Sequence, residues 1–162
     1  MQLIEVYVEK ISRSFDLIAG AILGLTATLV VANIVGRTVF SIAILGIHEL
    51  VGFLTASAVG LSLAYCAFNN GNIAVSFFYD RLSPGLKRAA DILTALAATV
   101  FLALTSYHLF LYGSRIALSG EVSLTTRLPF YPFIYLLALG MTLLCLVTLI
   151  KAVALFKGGD KA

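Results

Sequence analysis

Few side chains in this chain could do chemistry. Glu49 is the acid whose setting, at the start of a long apolar stretch, allows burial at a membrane edge. Such a carboxylate has two readings. It sits favourably in the first turn of a helix, where the dipole favours negative charge, or it pairs with Arg37 across a short connection or with a cation on a partner subunit. His48 and His108 carry a separate possibility: two facing imidazoles can ligate a b-type haem, which would make the chain a haem-binding membrane anchor of a respiratory oxidoreductase. Lone histidines also serve as interfacial hydrogen-bonding groups, and His48 stands at the very edge of its apolar stretch. Cys66 and Cys145 have no CxxC spacing and read as two small buried hydrophobes rather than a disulfide or a metal site.

No P-loop, Gly-rich dinucleotide fingerprint, HExxH or Ser/His/Asp arrangement is present. Neither catalytic residues nor a metal site are expected, and the chain reads as a non-enzyme with no cofactor of its own. The formal net charge of +3 is modest and scattered, which excludes a nucleic-acid footprint.

The elements that must position these groups follow from four charge-free runs, 17–36, 50–79, 92–114 and 128–150. A helix rises about 1.5 Å per residue, so about 20 apolar residues cross roughly 30 Å of hydrocarbon. With 60% hydrophobic and 12% charged residues, almost nothing remains for a soluble domain. The sequence predicts an all-α integral membrane protein, a four-transmembrane-helix bundle with interfacial amphipathic helices, forming one membrane domain over 1–162.

Residues 1–14 set Leu3, Val6, Tyr7, Lys10 and Ile11 along one side and Glu5, Glu9 and Arg13 largely on the other, the pattern of a short helix lying on the membrane. No small-residue cleavage site follows the first apolar run, which is expected to stay in the mature protein. Span one covers 15–40, with Arg37 snorkelling to the interface. Span two covers 48–68 and stops at Asn69-Asn70-Gly71-Asn72. Residues 73–82 then form an interfacial segment. Ser83 as N-cap and Pro84 at the first helical position open span three, 86–113. A connection carrying Arg115, Glu121 and Arg127 leads to Pro129 and Pro132 and to span four, 129–156, with 157–162 as a cytoplasmic tail.

Lysines and arginines accumulate on the cytoplasmic side of a membrane protein. With both termini on one side, that side holds Lys10, Arg13, Arg81, Lys87, Arg88, Lys151, Lys157 and Lys161, against Arg37, Arg115 and Arg127 on the other. Both termini are therefore expected in the cytoplasm. The spans show no mid-membrane acid, broken helix pair or internal repeat of the kind that secondary transporters use, so the chain is not expected to carry a substrate by itself. Gly20 with Gly24, and Ala56 with Gly60, are small-xxx-small pairs suited to close helix approach, within this bundle or against another membrane protein.

Three stretches carry a family resemblance. Asn33-Ile34-Val35-Gly36-Arg37-Thr38-Val39-Phe40 is followed by Gly46-Ile47-His48-Glu49-Leu50; Gly71-Asn72-Ile73-Ala74-Val75 follows span two; and Gly120-Glu121-Val122-Ser123 runs on to Leu128-Pro129, Tyr135 and Gly140. In order and spacing the chain resembles the small membrane subunit, Q or DctQ-like, of tripartite ATP-independent periplasmic (TRAP) transporters. It departs from the usual pattern at Asn72, Ser76 and Thr126, and it lacks tryptophan.

The resemblance implies a heterocomplex in the bacterial inner membrane. A periplasmic substrate-binding protein (P) captures an organic acid, a large membrane subunit (M, DctM-like) moves it with sodium, and the small subunit braces the large one and helps to form the docking surface. On that reading Arg37, Glu49, Gly24, Gly60, Arg115, Glu121 and Arg127 are candidate interface residues, with membrane lipids covering the rest. The charge distribution itself makes a testable statement. Reporter fusions or cysteine labelling should place Gly120 outside and Gly158 inside the cytoplasmic membrane; a cytoplasmic Gly120 would refute the topology.

Overall fold

No proline and no competing cap interrupts the chain between Gln2 and Val39. The computed structural model, which describes residues 2–42, 44–69, 71 and 83–156, forms a single helix there, α1 (Gln2–Val39). The expected interfacial helix over 1–14 and the first span are thus one continuous element. Ser14 shows why: its hydroxyl donates back to the Lys10 carbonyl at 3.0 Å, satisfying itself inside a helix instead of capping a new one. At its far end the Gly36 carbonyl accepts both Phe40 N–H and Ile42 N–H at 3.1 Å, and Ser41 turns through the left-handed region.

Helix α2 (Ile47–Phe68) starts after Gly46, whose φ of 77° suits glycine, and whose carbonyl accepts the Glu49 and Leu50 amides. Asn69 ends it: both its backbone and its side-chain amide donate to the Tyr65 carbonyl. The interfacial segment expected over 73–82 and the tail 157–162 lie outside the described residues.

Helix α3 (Pro84–Ser119) opens with Ser83 in an extended N-cap conformation and Pro84 in the first turn, and it ends at Gly120, φ 67°. It is longer than the expected 86–113. Gly113 is not a terminator but a packing glycine, since a Cβ there would lie 3.0 Å from the Tyr135 ring. Arg115 consequently projects from the helix itself rather than from the connection. Helix α4 (Tyr131–Phe156) takes Pro132 into its first turn, while Pro129 stays outside, bridged to Val122.

The helices pack in the order α1, α2, α4, α3, so α2 and α4 lie between two flanking helices. The α2–α4 crossing is set by glycine. A Cβ on Gly140 would collide with the Gly60 carbonyl and lie 2.9 Å from the Leu61 nitrogen, and a Cβ on Gly60 would lie 3.1 Å from the Leu137 Cα. Removing both side chains lets the two backbones touch, the approach that favours association where lipid offers no hydrophobic drive. Buried Ala58, Leu61 and Ala64 on α2, with Ala138 and Val147 on α4, belong to the same tightly packed interior.

Ala19 of α1 packs with Ala58 and Leu61, flanked by Phe15 and Ile22. On the opposite flank, the Ser106 and Thr142 hydroxyls pair at 2.6 Å between α3 and α4, and the half-buried Cys145 thiol donates to the Thr99 carbonyl at 3.6 Å. Cys66, expected to be buried, is exposed. Among the described residues, four helices are long and apolar enough to cross a membrane.

Of the four residues in the two small-residue pairs, Gly60 is used inside the chain, while Ala56, Gly20 and Gly24 are exposed. Gly60 is buried against α4, whereas a Cβ on Gly20 or Gly24 would meet nothing within 4 Å. Gly140→Val or Gly60→Val should therefore destabilise the isolated chain by about 1–3 kcal/mol or more through overpacking, and Gly24→Val should leave it unchanged. Thermal unfolding in detergent measures both; equal loss for Gly24→Val and Gly60→Val would contradict the assignment.

Candidate functional site

Two connections meet at one end of the bundle. The α1–α2 connection is held by Asn33 of α1, whose side-chain oxygen accepts the Ile44 amide at 3.0 Å. The α3–α4 connection folds on itself. Ser123 N–H donates to the Leu128 carbonyl at 3.0 Å, Arg127 N–H donates to the Ser123 carbonyl at 3.1 Å, and Arg127 takes a left-handed φ of 54°.

Glu49 joins the two. From the first turn of α2 its carboxylate accepts hydrogen bonds from the Ser123 hydroxyl, the Thr125 hydroxyl at 3.0 Å, the Thr125 amide at 3.3 Å and the Thr126 amide at 3.4 Å. An ionised carboxylate only accepts, so its two oxygens suit a turn that offers hydroxyl and amide donors, and charge-assisted bonds of this kind are stronger than neutral ones. Glycine at 46 is needed for the fit as well as for its φ, because a Cβ there would run into the Thr126 methyl. Below the carboxylate, Phe53 stacks on Phe130 and Phe133 with ring centres 5.7 and 5.5 Å apart, fastening α2 to the start of α4.

The opposite end has a counterpart. Lys151 of α4, half-buried, donates to the Ala67 carbonyl in the last turn of α2. A cation suits a helix C-terminus, where carbonyls lack intrahelical donors.

The sequence-predicted residues are distributed unevenly around this clasp. Glu49 is at its centre, bonded to the 123–126 turn and not to Arg37. Arg37 is exposed and lines a groove of about 380 Å³ between α1 and α2 with Asn33, His48 and Val51. Glu121 is exposed on the other side of His48, in a groove of about 630 Å³ shared with Glu49, Phe53, Leu124 and Phe130. Arg127 is exposed in the turn, Arg115 is exposed on α3, Gly24 faces open space and Gly60 lies at the α2–α4 crossing.

The histidines are not brought together. His48 sits among the loop-end grooves, whereas His108 lines a groove made by α3 residues such as Phe101, Leu104 and Tyr112, and α4 packs between the helices that carry them. No group of three His, Cys, Asp or Glu side chains suited to a metal ion occurs among the described residues. Ser123 and Thr126 entered the sequence reading only through the family-like stretch, without a role as partners of Glu49, and Thr125, Asn33 as a loop clamp and Lys151 as a helix cap were not anticipated. The available signal was a run of hydroxyl residues in a connection of an otherwise apolar chain.

The clasp makes its own prediction. Glu49→Ala should speed amide hydrogen exchange at Thr125 and Thr126 in the folded protein, with Glu49→Gln intermediate because one acceptor oxygen remains. Unchanged exchange in Glu49→Ala would mean that the turn is held by other contacts.

Comparison with known families places residues 26–158 in the family described as tripartite ATP-independent periplasmic transporters, DctQ component. No curated protein gave a match. The matched region runs from the middle of α1 through α4 and contains Asn33, Glu49, the 123–126 turn and both crossing glycines, so the chain belongs to the DctQ family, the small membrane component of TRAP transporters.

Proposed function

We propose that this chain braces a large, sodium-coupled membrane subunit (M, DctM-like) of a TRAP transporter for organic acids and helps to seat the periplasmic substrate-binding protein (P). In this reading it lies in the bacterial inner membrane with both termini cytoplasmic and the Glu49 clasp at the periplasmic face. The observation that carries the proposal is the clasp itself. A carboxylate with four donors converts two short connections into one ordered surface. That surface exposes Arg37, Glu121 and Arg127 beside Leu45 and Leu124, the last of these 97% exposed. Charged groups on such a rim govern encounter rate and register more than affinity. The Lys and Arg distribution supports the orientation.

Reconstitution in liposomes tests the assignment. This chain alone should give no sodium-dependent organic-acid uptake, and adding the large subunit and the binding protein should restore it. With all three present, Arg127→Glu should slow uptake at limiting binding protein and make it more sensitive to salt. Uptake by this chain alone, or full uptake by the other two components without it, would defeat the proposal.

A further inference from the structure

The α3 flank carries polar groups that its own fold leaves uncovered. Phe101, Thr105, His108, Tyr112 and Arg115 recur every three or four residues, which places them on one face. His108, Tyr112 and Arg115 are exposed there. Thr105 satisfies itself on the Phe101 carbonyl. His108 does not: its ring lies edge-on to Tyr107 at 5.7 Å and makes no hydrogen bond among the described residues.

The depth of this imidazole follows from register. The Ser106–Thr142 hydroxyl pair and the Gly113–Tyr135 contact align antiparallel α3 and α4 so that His108 is level with Gly140, where α2 and α4 cross. That level is within roughly 5 Å of the middle of the fourth span, Tyr131–Leu155, at about 1.5 Å per residue. Span three was expected to close at Gly113; because α3 continues to Ser119, His108 stands further from the helix end than that boundary implied. An ionisable group without a partner is expensive at that depth.

We infer that the His108 stripe of α3 is the surface on which the large membrane subunit seats a helix carrying a hydrogen-bond acceptor at mid-membrane depth. The inference rests on the proposed role of the chain as the small subunit of that assembly. Charge decides against a second copy as the occupant. Copies sharing one orientation in the membrane would pair about a two-fold axis with Arg115 against Arg115, joining like charges. A partner with a carboxylate or free carbonyl opposite His108, and an acid nearer Arg115, satisfies both.

Site-specific photocrosslinking tests the surface in membranes from cells co-producing this chain, a tagged large subunit and the binding protein. Benzoylphenylalanine is introduced singly at Phe101 or Tyr112 on the α3 stripe, and at Leu17 or Val31 on the exposed face of α1. The expected result is capture of the large subunit from Phe101 and Tyr112, lowered roughly threefold to tenfold by His108→Leu, the effect of one interhelical hydrogen bond in a membrane. Capture unaffected by His108→Leu would overturn the role of the imidazole. Capture from the α1 positions alone would overturn the α3 assignment and leave the bracing role standing. Capture of a second copy, or of lipid only, from the α3 positions would overturn it equally, and failure to capture the large subunit from any position would overturn the bracing role as well.

Discussion

The backbone contact between α2 and α4 is the constraint on which the rest of the molecule depends. In water, helices associate because their apolar faces avoid solvent; in lipid that drive is missing, and close van der Waals approach has to replace it. Gly60 and Gly140 supply the approach by removing the two side chains that would hold the helices apart. Helix α1 then packs on α2, and α3 on α4. The flanking helices therefore inherit their positions from the central pair.

Polar ties reinforce the same pair at both ends. Glu49 of α2 holds the turn that precedes α4, and Lys151 of α4 holds the last turn of α2. Each uses a feature of helix termini: an acid in the first turn, a cation at unpaired carbonyls in the last. The two flanks are held by contacts of other kinds. The Ser106–Thr142 hydroxyl pair and the Cys145 thiol link α3 to α4, whereas the α1 seam is built around Ala19, Ala58 and Leu61.

The spans were legible in the sequence because twenty-residue apolar runs have few other uses. Their ends were less so. Ser14 and Gly113 look like boundary residues, yet a hydroxyl can bond back to its own helix and a glycine can make room for a ring. Glu49 stood out by its place at a membrane edge, but its partners lie 74 or more residues away, and chemical type alone offered the helix dipole or a cation rather than hydroxyls and amides. Gly140 was visible within a family-like stretch, whereas its pairing with Gly60 depends on which helices cross. The level of His108 against Gly140 could not be read either, because register between α3 and α4 exists only after folding.

The ties at Glu49 and Lys151, with the glycine crossing between them, fasten α2 to its neighbours over most of its length. From Glu49 to Ala67 is roughly 27 Å along the helix axis, close to the hydrocarbon thickness of a bilayer. Sliding α4 past α2 by one turn, about 5.4 Å, would break the crossing and both end ties together. The central pair thus resists shear along the membrane normal, as the fixed stator of a machine does, and any displacement within a larger assembly would be left to elements outside it.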